Sequence, residues 1–178
     1  MKALVTGGVR CGKSAHAESL LAGREDVTYV ATGPQRDDAD WAARVAAHQA
    51  RRPSSWRTVE STRLDVAIVA LRGPAIIDCL GTWLTARLDE LDAWDRPEQE
   101  WQEALEQQVA SLVLAWQVCP HDLVAVTNEV GWGVVPDHRS GRVFADQLGR
   151  LNQRVAAVSD TVTLLVAGLP VPVKGPGG

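Results

Sequence analysis

The sequence lacks the long hydrophobic runs, paired cysteines and strong net charge that mark several large classes of protein. Its apolar stretches stop short of membrane-spanning length, as where Asp65 and Arg72 interrupt residues 64–73. The three cysteines include no C-x-x-C pair and indicate neither a disulfide framework nor a zinc site. A net charge of −4 gives no electrostatic reason to expect nucleic acid. We therefore expect neither a membrane span nor a nucleic-acid partner.

What remains is the composition of a globular protein, with 46% hydrophobic and 22% charged residues. A chain of 178 residues suffices for one well-buried domain and is too short for two ordinary ones. The first residues enter an apolar segment without the cationic and hydrophobic regions of a secretory signal, which predicts a cytoplasmic protein. The end is rich in Pro and Gly, so we assign the domain to residues 1–170 and expect residues 171–178 to fray.

Lysine is also scarce. Only three of the 18 lysine and arginine residues are lysines. One of them, Lys13, lies in "GGVRCGKS" (residues 7–14), which fits the pattern G-x-x-x-x-G-K-[ST]. In this pattern backbone N–H groups bind phosphate oxygens, the lysine reaches the β- and γ-phosphates, and the hydroxyl of Ser14 can ligate Mg²⁺. We call residues 7–14 the phosphate-binding loop. A strand predicted at residues 2–6 precedes this loop and a helix follows it, as the motif requires.

Strand-like and helical segments alternate along the rest of the chain. Alternation of this kind predicts a mostly parallel sheet with helices on both faces. In such sheets the ligand crevice lies at the carboxyl ends of the strands, where the phosphate-binding loop and residues 31–33, 78–79 and 128–129 all fall. Further strands are predicted at residues 27–32, 56–61, 74–81, 122–127 and 161–168, and helices at residues 14–23, 37–51, 64–71, 82–91, 97–118 and 141–159.

Asp78 ends the buried run "AIID" and has two possible roles. A carboxylate at a strand end beside a phosphate-binding loop suits the second anchor of a Mg²⁺ ion. An aspartate in this position can equally cap the N-terminus of the helix that follows. The residues alone leave both interpretations open.

His48 is a candidate nucleophile. Arg44, His48 and Arg51 recur at i, i+4 and i+7, so they share one face of the predicted helix. The neighbouring positive charge disfavours imidazolium and keeps the ring in its neutral, nucleophilic form. A neutral histidine can attack phosphorus and form a covalent intermediate. A surface histidine without a chemical role is the alternative, and the spacing by itself does not decide between them.

Four segments occur in the order typical of one enzyme family and cover nearly the whole chain. They are "LVTGGVRCGKS" (4–14), "RVAAHQARRPSSWRTVE" (44–60), "TNEVGWGVVP" (127–136) and "GRLNQRVA" (149–156). Together they resemble the bifunctional adenosylcobinamide kinase/adenosylcobinamide-phosphate guanylyltransferases of cobalamin biosynthesis. The resemblance implies a single α/β domain of the P-loop, RecA-like type. It also implies that a nucleoside triphosphate phosphorylates adenosylcobinamide, and that GTP then donates GMP to adenosylcobinamide phosphate and releases pyrophosphate.

The same resemblance implies GTP, ATP and Mg²⁺ as cofactors and a homo-oligomer, namely a trimer. It assigns the guanylylated histidine to His48. The predicted Mg²⁺ ligands are Ser14, from the loop motif, and Asp78, from its position at a strand end. Relatives often have glutamate in place of Asp78 and commonly serine in place of Cys11, so both are mild departures. The implied nucleotide contacts are Gly7, Gly8, Val9, Arg10, Cys11, Gly12, Lys13, Ser14, Ala31, Thr32, Gly33, Gln49, Ala50, Arg51, Arg52, Glu60 and Asp78.

Two other kinds of enzyme are alternatives. A regulatory GTPase is suggested by "DCLG" (78–81), which fits the D-x-x-G of such switches, but no lysine of the chain lies in the N-K-x-D context that reads guanine. A P-loop small-molecule kinase without guanylyl transfer would need no His48. A nucleotide-binding module without catalysis is less consistent with a complete phosphate-binding loop beside a candidate nucleophile.

Overall fold

The computed structural model describes residues 1–33 and 52–175. Its strands are β1 (Lys2–Gly7), β2 (Thr28–Ala31), β3 (Arg57–Glu60), β4 (Ala75–Asp78), β5 (Leu123–Val126), β6 (Thr161–Val166) and β7 (Leu169–Lys174). They form one sheet in the order β3-β2-β4-β5-β1-β6-β7. β1 to β6 pair in parallel, whereas β7 pairs antiparallel with β6. The predicted mostly parallel α/β sheet is confirmed.

The described helices are α1 (Lys13–Leu20), α2 (Leu64–Val69), α3 (Leu80–Glu90), α4 (Gln102–Val118) and α5 (Arg139–Ala157). Side chains alternate between the two faces of each strand. In β1, Ala3 and Val5 pack in the same cluster as residues of α1, while Leu4 packs with the other four helices. The sheet is thus covered on both faces, which explains its unbroken apolar strand sequences. Within residues 1–33 and 52–175, no helix has the length and apolar character needed to cross a membrane.

The helix predicted from Pro97 begins in two steps. A 3-10 turn spans Glu98–Glu100, and α4 starts at Gln102. Trp101 and Trp116, which belong to the predicted apolar stripe, are each 1% exposed. Burying a large apolar side chain contributes about 1.5–3 kcal/mol, so this stripe fixes α4 against the core.

The tail predicted to fray at residues 171–178 is instead ordered through Lys174 as part of β7. Ala167 and Gly168 form a two-residue turn in which both φ angles are positive, at 51° and 83°, as in the type I′ turns that join antiparallel strands. Pro170 and Pro172 lie on an edge strand, where a missing N–H can face away from the partner. Within residues 171–174 the expectation of fraying is not met, because an edge strand tolerates both prolines, and residues 176–178 lie outside the described residues.

Candidate functional site

The glycines of the phosphate-binding loop have conformations and neighbours that a side chain would disturb. Gly7 has a φ of +149°, and a β-carbon added there would lie 2.6 Å from the Leu165 carbonyl oxygen. Gly12 has a φ of +98° and Arg10 a φ of +58°, in the region that glycine adopts most readily. The chain therefore turns sharply from β1 into α1, as the motif predicts.

Lys13 is only 8% exposed although its side chain is charged. Its Nζ donates a hydrogen bond to the Gly8 carbonyl oxygen at 2.5 Å and lies 3.8 Å from the Sγ of Cys11. The ammonium group is thus held within the loop. Ser14 follows it in the first turn of α1, which contains no acidic residue. The positive end of the helix and the Lys13 charge together suit an anion such as a phosphate.

One wall of the phosphate-binding loop is formed by β6 and the turn that follows it. The Gly168 N–H donates to the Cys11 carbonyl oxygen at 3.0 Å. A β-carbon on Gly12 would lie 3.5 Å from the Cα of Gly168. With the close approach of Leu165 to Gly7, these contacts tie the loop to the β6–β7 hairpin along its length.

Asp78 lies at the end of β4 and accepts a hydrogen bond from the Tyr29 hydroxyl at 2.6 Å. Burial raises the pKa of Tyr29, and the Asp78 carboxylate raises it further through its negative charge and this hydrogen bond, so the hydroxyl remains a donor. The Arg52 guanidinium lies 3.5 Å from the centre of the Tyr29 ring. Its Nε is 3.8 Å from the Oε1 of Glu18 in α1. Two predicted site residues, Arg52 and Asp78, therefore both contact Tyr29, one at the ring and the other at the hydroxyl.

The N-terminus of α3 is capped by Cys79 and not by Asp78. The Thr82 N–H donates to the Cys79 Sγ at 3.5 Å, and the Cys79 N–H donates to the Thr82 hydroxyl at 3.3 Å. Burial, followed by the charge of Asp78, raises the pKa of the Cys79 thiol, which favours its protonated form. The helix-cap interpretation of Asp78 is therefore wrong, and its carboxylate faces Tyr29 instead.

The predicted contact segment after β2 includes a side chain with a structural role. Thr32 is fully buried, and its hydroxyl donates to the Cys79 carbonyl oxygen at 2.6 Å and lies 2.6 Å from the Thr82 hydroxyl. Thr32 therefore joins the end of β2 to the start of α3. Ala31 and Gly33 on either side are half-buried, and their main chain lies at the carboxyl edge of the sheet.

The predicted site residues differ in their distance from the phosphate-binding loop. Asp78 is on β4, two strands from β1, which corresponds to about 10 Å at the usual strand spacing. Glu60 is exposed at the end of β3, opposite Ala31, and four strands from β1, or about 19 Å. Asp78 thus lies near the loop, whereas Glu60 lies at the far edge of the sheet.

The predicted nucleophile and its neighbours lie outside the described residues. These are His48, Gln49, Ala50 and Arg51, together with the predicted helix at residues 37–51.

Glu129 is a site residue to which the sequence assigned no role. Its carboxylate accepts a hydrogen bond from the Thr6 hydroxyl at 3.0 Å, and its N–H donates to the Gly7 carbonyl oxygen at 3.1 Å. A half-buried carboxylate therefore adjoins the start of the phosphate-binding loop. The sequence does place Glu129 just after a predicted strand, at the edge where ligands bind. It does not indicate that this strand, β5, lies next to β1, and the role of Glu129 depends on that.

Asn152 fixes the chain that carries Glu129. From α5, its Oδ1 accepts a hydrogen bond from the Thr127 hydroxyl at 2.6 Å, and its Nδ2 donates to the Asn128 carbonyl oxygen at 3.0 Å. Through these bonds α5 holds the start of the segment at 127–136, which contains Glu129, in place.

Comparison with protein families gives a match over residues 3–173 to the family described as "Cobinamide kinase / cobinamide phosphate guanyltransferase". The protein named "Bifunctional adenosylcobalamin biosynthesis protein CobU" of Salmonella typhimurium is 43% identical over 98% of this chain and all of its own length. Its namesake of Escherichia coli strain K12 is 42% identical over the same shares. "Bifunctional adenosylcobalamin biosynthesis protein CobP" of Pseudomonas aeruginosa is 37% identical over 98% of each chain.

Solved structures resemble the fold at much lower identity. A "prototypical ATPase from the type III secretion system of pathogenic bacteria" superimposes with a TM-score of 0.60 and 14% identity, over 93% of this chain. The ATPase EscN of enteropathogenic E. coli gives a TM-score of 0.52 and 12% identity. The chain spans about half the length of these ATPases, with 52% and 43% covered. At such identity the likeness concerns the fold alone.

Proposed function

The chain belongs to the cobinamide kinase / cobinamide phosphate guanyltransferase family, and we propose that residues 7–14 bind the triphosphate for both of its reactions. In the first, the hydroxyl oxygen of adenosylcobinamide attacks the γ-phosphorus, and a nucleoside diphosphate leaves. In the second, the GMP unit of GTP joins the phosphate of adenosylcobinamide phosphate, and pyrophosphate leaves. The observation that carries this proposal is the ammonium group of Lys13, nearly buried and held within the loop.

One loop can serve both reactions because it grips the same two phosphates each time. In the kinase reaction the γ-phosphate is the group transferred, and catalysis depends mainly on its placement and on charge stabilisation. In guanylyl transfer the β- and γ-phosphates become the leaving pyrophosphate. Lys13 and the positive end of α1 then stabilise the negative charge that develops on this leaving group.

Guanylyl transfer proceeds in this proposal through His48. A ring nitrogen of the neutral imidazole attacks the α-phosphorus, and the bond to the leaving pyrophosphate breaks. A phosphate oxygen of adenosylcobinamide phosphate then attacks the same phosphorus and frees the histidine. Support comes from Arg52, four residues further on, which packs on Tyr29 and near Glu18 of α1. Arg52, the first described residue after this segment, therefore lies beside α1, the helix that follows the phosphate-binding loop. Gln49, Ala50, Arg51 and Glu60 stay proposed nucleotide contacts.

The residues present fit a Mg²⁺ ion held largely by the nucleotide. In the described ranges no cluster of three acidic, histidine or cysteine side chains could cage a metal. Mg²⁺ in kinase sites is usually held by one or two protein oxygens, water and substrate phosphates. We assign the direct ligand to the Ser14 hydroxyl, and to Asp78 a contact through water, because Asp78 also binds Tyr29. The ion would neutralise negative charge on the phosphates. The nucleotides that we propose for this site are ATP and GTP.

A covalent-labelling experiment tests the role of His48. The protein is incubated with Mg²⁺ and GTP labelled at the α-phosphate, and we expect a protein-bound label that is stable to base and lost in acid, as a phosphoramidate is. His48→Ala should abolish it, because the attacking nitrogen is removed, while His121→Ala should retain it. A label that survives His48→Ala would move the nucleophile to another residue. Transfer of the γ-phosphate to cobinamide without any α-label on the protein would indicate a kinase that lacks guanylyltransferase activity.

The proposed oligomer, a trimer, rests on the family resemblance. Analytical ultracentrifugation of the full chain would measure its mass, and a monomer at micromolar concentration would contradict it.

A further inference from the structure

Three large apolar side chains are exposed in the loop between β5 and α5. Trp132, Val134 and Val135 are 76%, 95% and 70% exposed. The sequence from residue 130 to residue 136, "VGWGVVP", contains no charged group. We call residues 130–136 the acceptor loop. Large exposed apolar patches on globular proteins mark interaction sites, so this loop indicates a bound ligand or partner.

Both ends of the acceptor loop are held in place. At one end the N–H of Glu129 is bonded to the Gly7 carbonyl oxygen at 3.1 Å. At the other, the Nη1 of Arg142 donates to the carbonyl oxygens of Pro136 and Asp137 at 3.0 and 2.7 Å. The apolar side chains are therefore presented from an anchored segment that starts beside the phosphate-binding loop.

We propose that the acceptor loop binds the corrin macrocycle of the cobinamide substrate, with the Trp132 indole against the ring system. This inference rests on the proposed function and names the surface that receives its acceptor. A corrin is a broad macrocycle edged with methyl groups and neutral amides, which matches an uncharged loop of valines and one tryptophan. The indole supplies a flat apolar surface, and its N–H can donate to an amide carbonyl.

The position of the acceptor loop suits the geometry of the reaction. Cobinamide carries its acceptor hydroxyl on an aminopropanol side chain, the arm. Transfer requires this hydroxyl to lie about 3–3.5 Å from the γ-phosphorus, so the arm must enter the crevice. The macrocycle at the other end of this arm must then rest on the surface that borders the phosphate-binding loop. Val9, within that loop, is 81% exposed and adds apolar surface on the same border.

The direct test is the affinity for cobinamide, measured by titration calorimetry with the full chain. Trp132→Ala should raise the Kd and the KM for cobinamide about tenfold, as expected for loss of an aromatic anchor. Trp132→Phe, which keeps a flat ring, should recover most of the affinity. The matched control is Leu114→Ala, which removes a 60% exposed apolar side chain from α4 and should change neither constant.

Two further readouts separate this inference from the proposed function. The KM for the nucleotide and the α-label from GTP should be unchanged in Trp132→Ala, because neither involves the macrocycle. Phosphorylation of 1-amino-2-propanol, the arm without the ring, should be equally slow in wild type and variant. Cobinamide binding that depends on Trp132 in a protein without transferase activity would overturn the function and keep this inference.

An unchanged Kd for cobinamide in Trp132→Ala would overturn the inference. So would a loss of oligomeric mass in this variant with the cobinamide constants unchanged, because the loop would then contact a second copy of the chain.

Discussion

At the scale of single residues, each of the three lysines donates hydrogen bonds to main-chain carbonyl oxygens. Lys2 binds two carbonyl oxygens just beyond the end of α4, both at 2.6 Å. Lys174 binds the last two carbonyl oxygens of α5, at 2.8 and 3.0 Å. Lysines at helix C-termini satisfy unpaired carbonyls and oppose the negative end of the dipole. Lys13, at the start of α1, instead donates to the Gly8 carbonyl oxygen within the phosphate-binding loop.

The bond between Tyr29 and Asp78 gives a prediction about stability. Tyr29→Phe removes a hydroxyl that is bonded to a carboxylate at 2.6 Å and keeps the ring that packs on Arg52. We expect the free energy of unfolding to fall by about 1.5–3 kcal/mol, since a hydrogen bond to a charged group is lost. Urea denaturation of Tyr29→Phe, Asp78→Asn and the double variant would measure it. Additive effects of the two substitutions would contradict direct coupling.

At the scale of elements, the β6–β7 hairpin supports the phosphate-binding loop as well as closing the sheet. Its turn donates from Gly168 to Cys11, and Leu165 lies against Gly7. Lys174 at its end binds the C-terminus of α5. The hairpin as a whole therefore links the phosphate-binding loop, through β6 and the turn, to α5, through β7.

Removal of β7 tests this role. A chain that stops after Gly168 loses the ladder with β6, and we expect about 3–6 kcal/mol less stability because several hydrogen bonds of about 1 kcal/mol each are lost. This corresponds to a fall in Tm of about 6–24 °C, measured by calorimetry, and we expect weaker GTP binding as well. The control stops after Gly175, beyond β7, and should match the full chain. Equal Tm values for the two truncations would refute a structural role for β7.

At the scale of the whole molecule, ligand binding and folding are coupled through the carboxyl edge of the sheet. The phosphate-binding loop, Asp78 and Glu129 lie at the carboxyl ends of β1, β4 and β5, three adjacent strands of one sheet. Each residue reaches its position only when all three strands have paired. A ligand that binds at this edge therefore binds the folded state alone and must stabilise it.

The size of this stabilisation can be predicted. At a GTP concentration of 100 times the Kd, with Mg²⁺, the folded state gains about 2.7 kcal/mol. We expect a rise in Tm of about 5–10 °C for a chain of this length, measured by thermal denaturation. Lys13→Met should remove the rise, because the phosphate loses its main countercharge. Lys174→Met, the matched lysine control, should lower the starting Tm and keep the full rise. A full rise in Lys13→Met would argue against binding of the triphosphate at this loop.

Much of the site was predictable because its signals are local. Residues 7–14 form a turn whose glycines, lysine and serine are contiguous, so their spacing alone indicated phosphate binding between a strand and a helix. The alternating pattern predicted a parallel sheet, which gathered residues 78–79 and 128–129 at its carboxyl edge. The role of Glu129 could not be predicted, because it depends on β5 lying beside β1, and strand order is a property of the packed sheet.

The sequence by itself determined the phosphate-binding loop, the α/β class and the family, since these depend on contiguous residues and on periodicity. Only the tertiary structure decided that Asp78 binds Tyr29 while Cys79 caps α3. Tyr29 lies far from Asp78 in the sequence, and Cys79 is the immediate neighbour of Asp78 and an alternative cap, so the local sequence could not decide between the two roles. The tertiary structure likewise decided that the Pro-rich end forms β7. An edge strand tolerates proline only where a partner lies on one side, and the presence of that partner is a fact of packing.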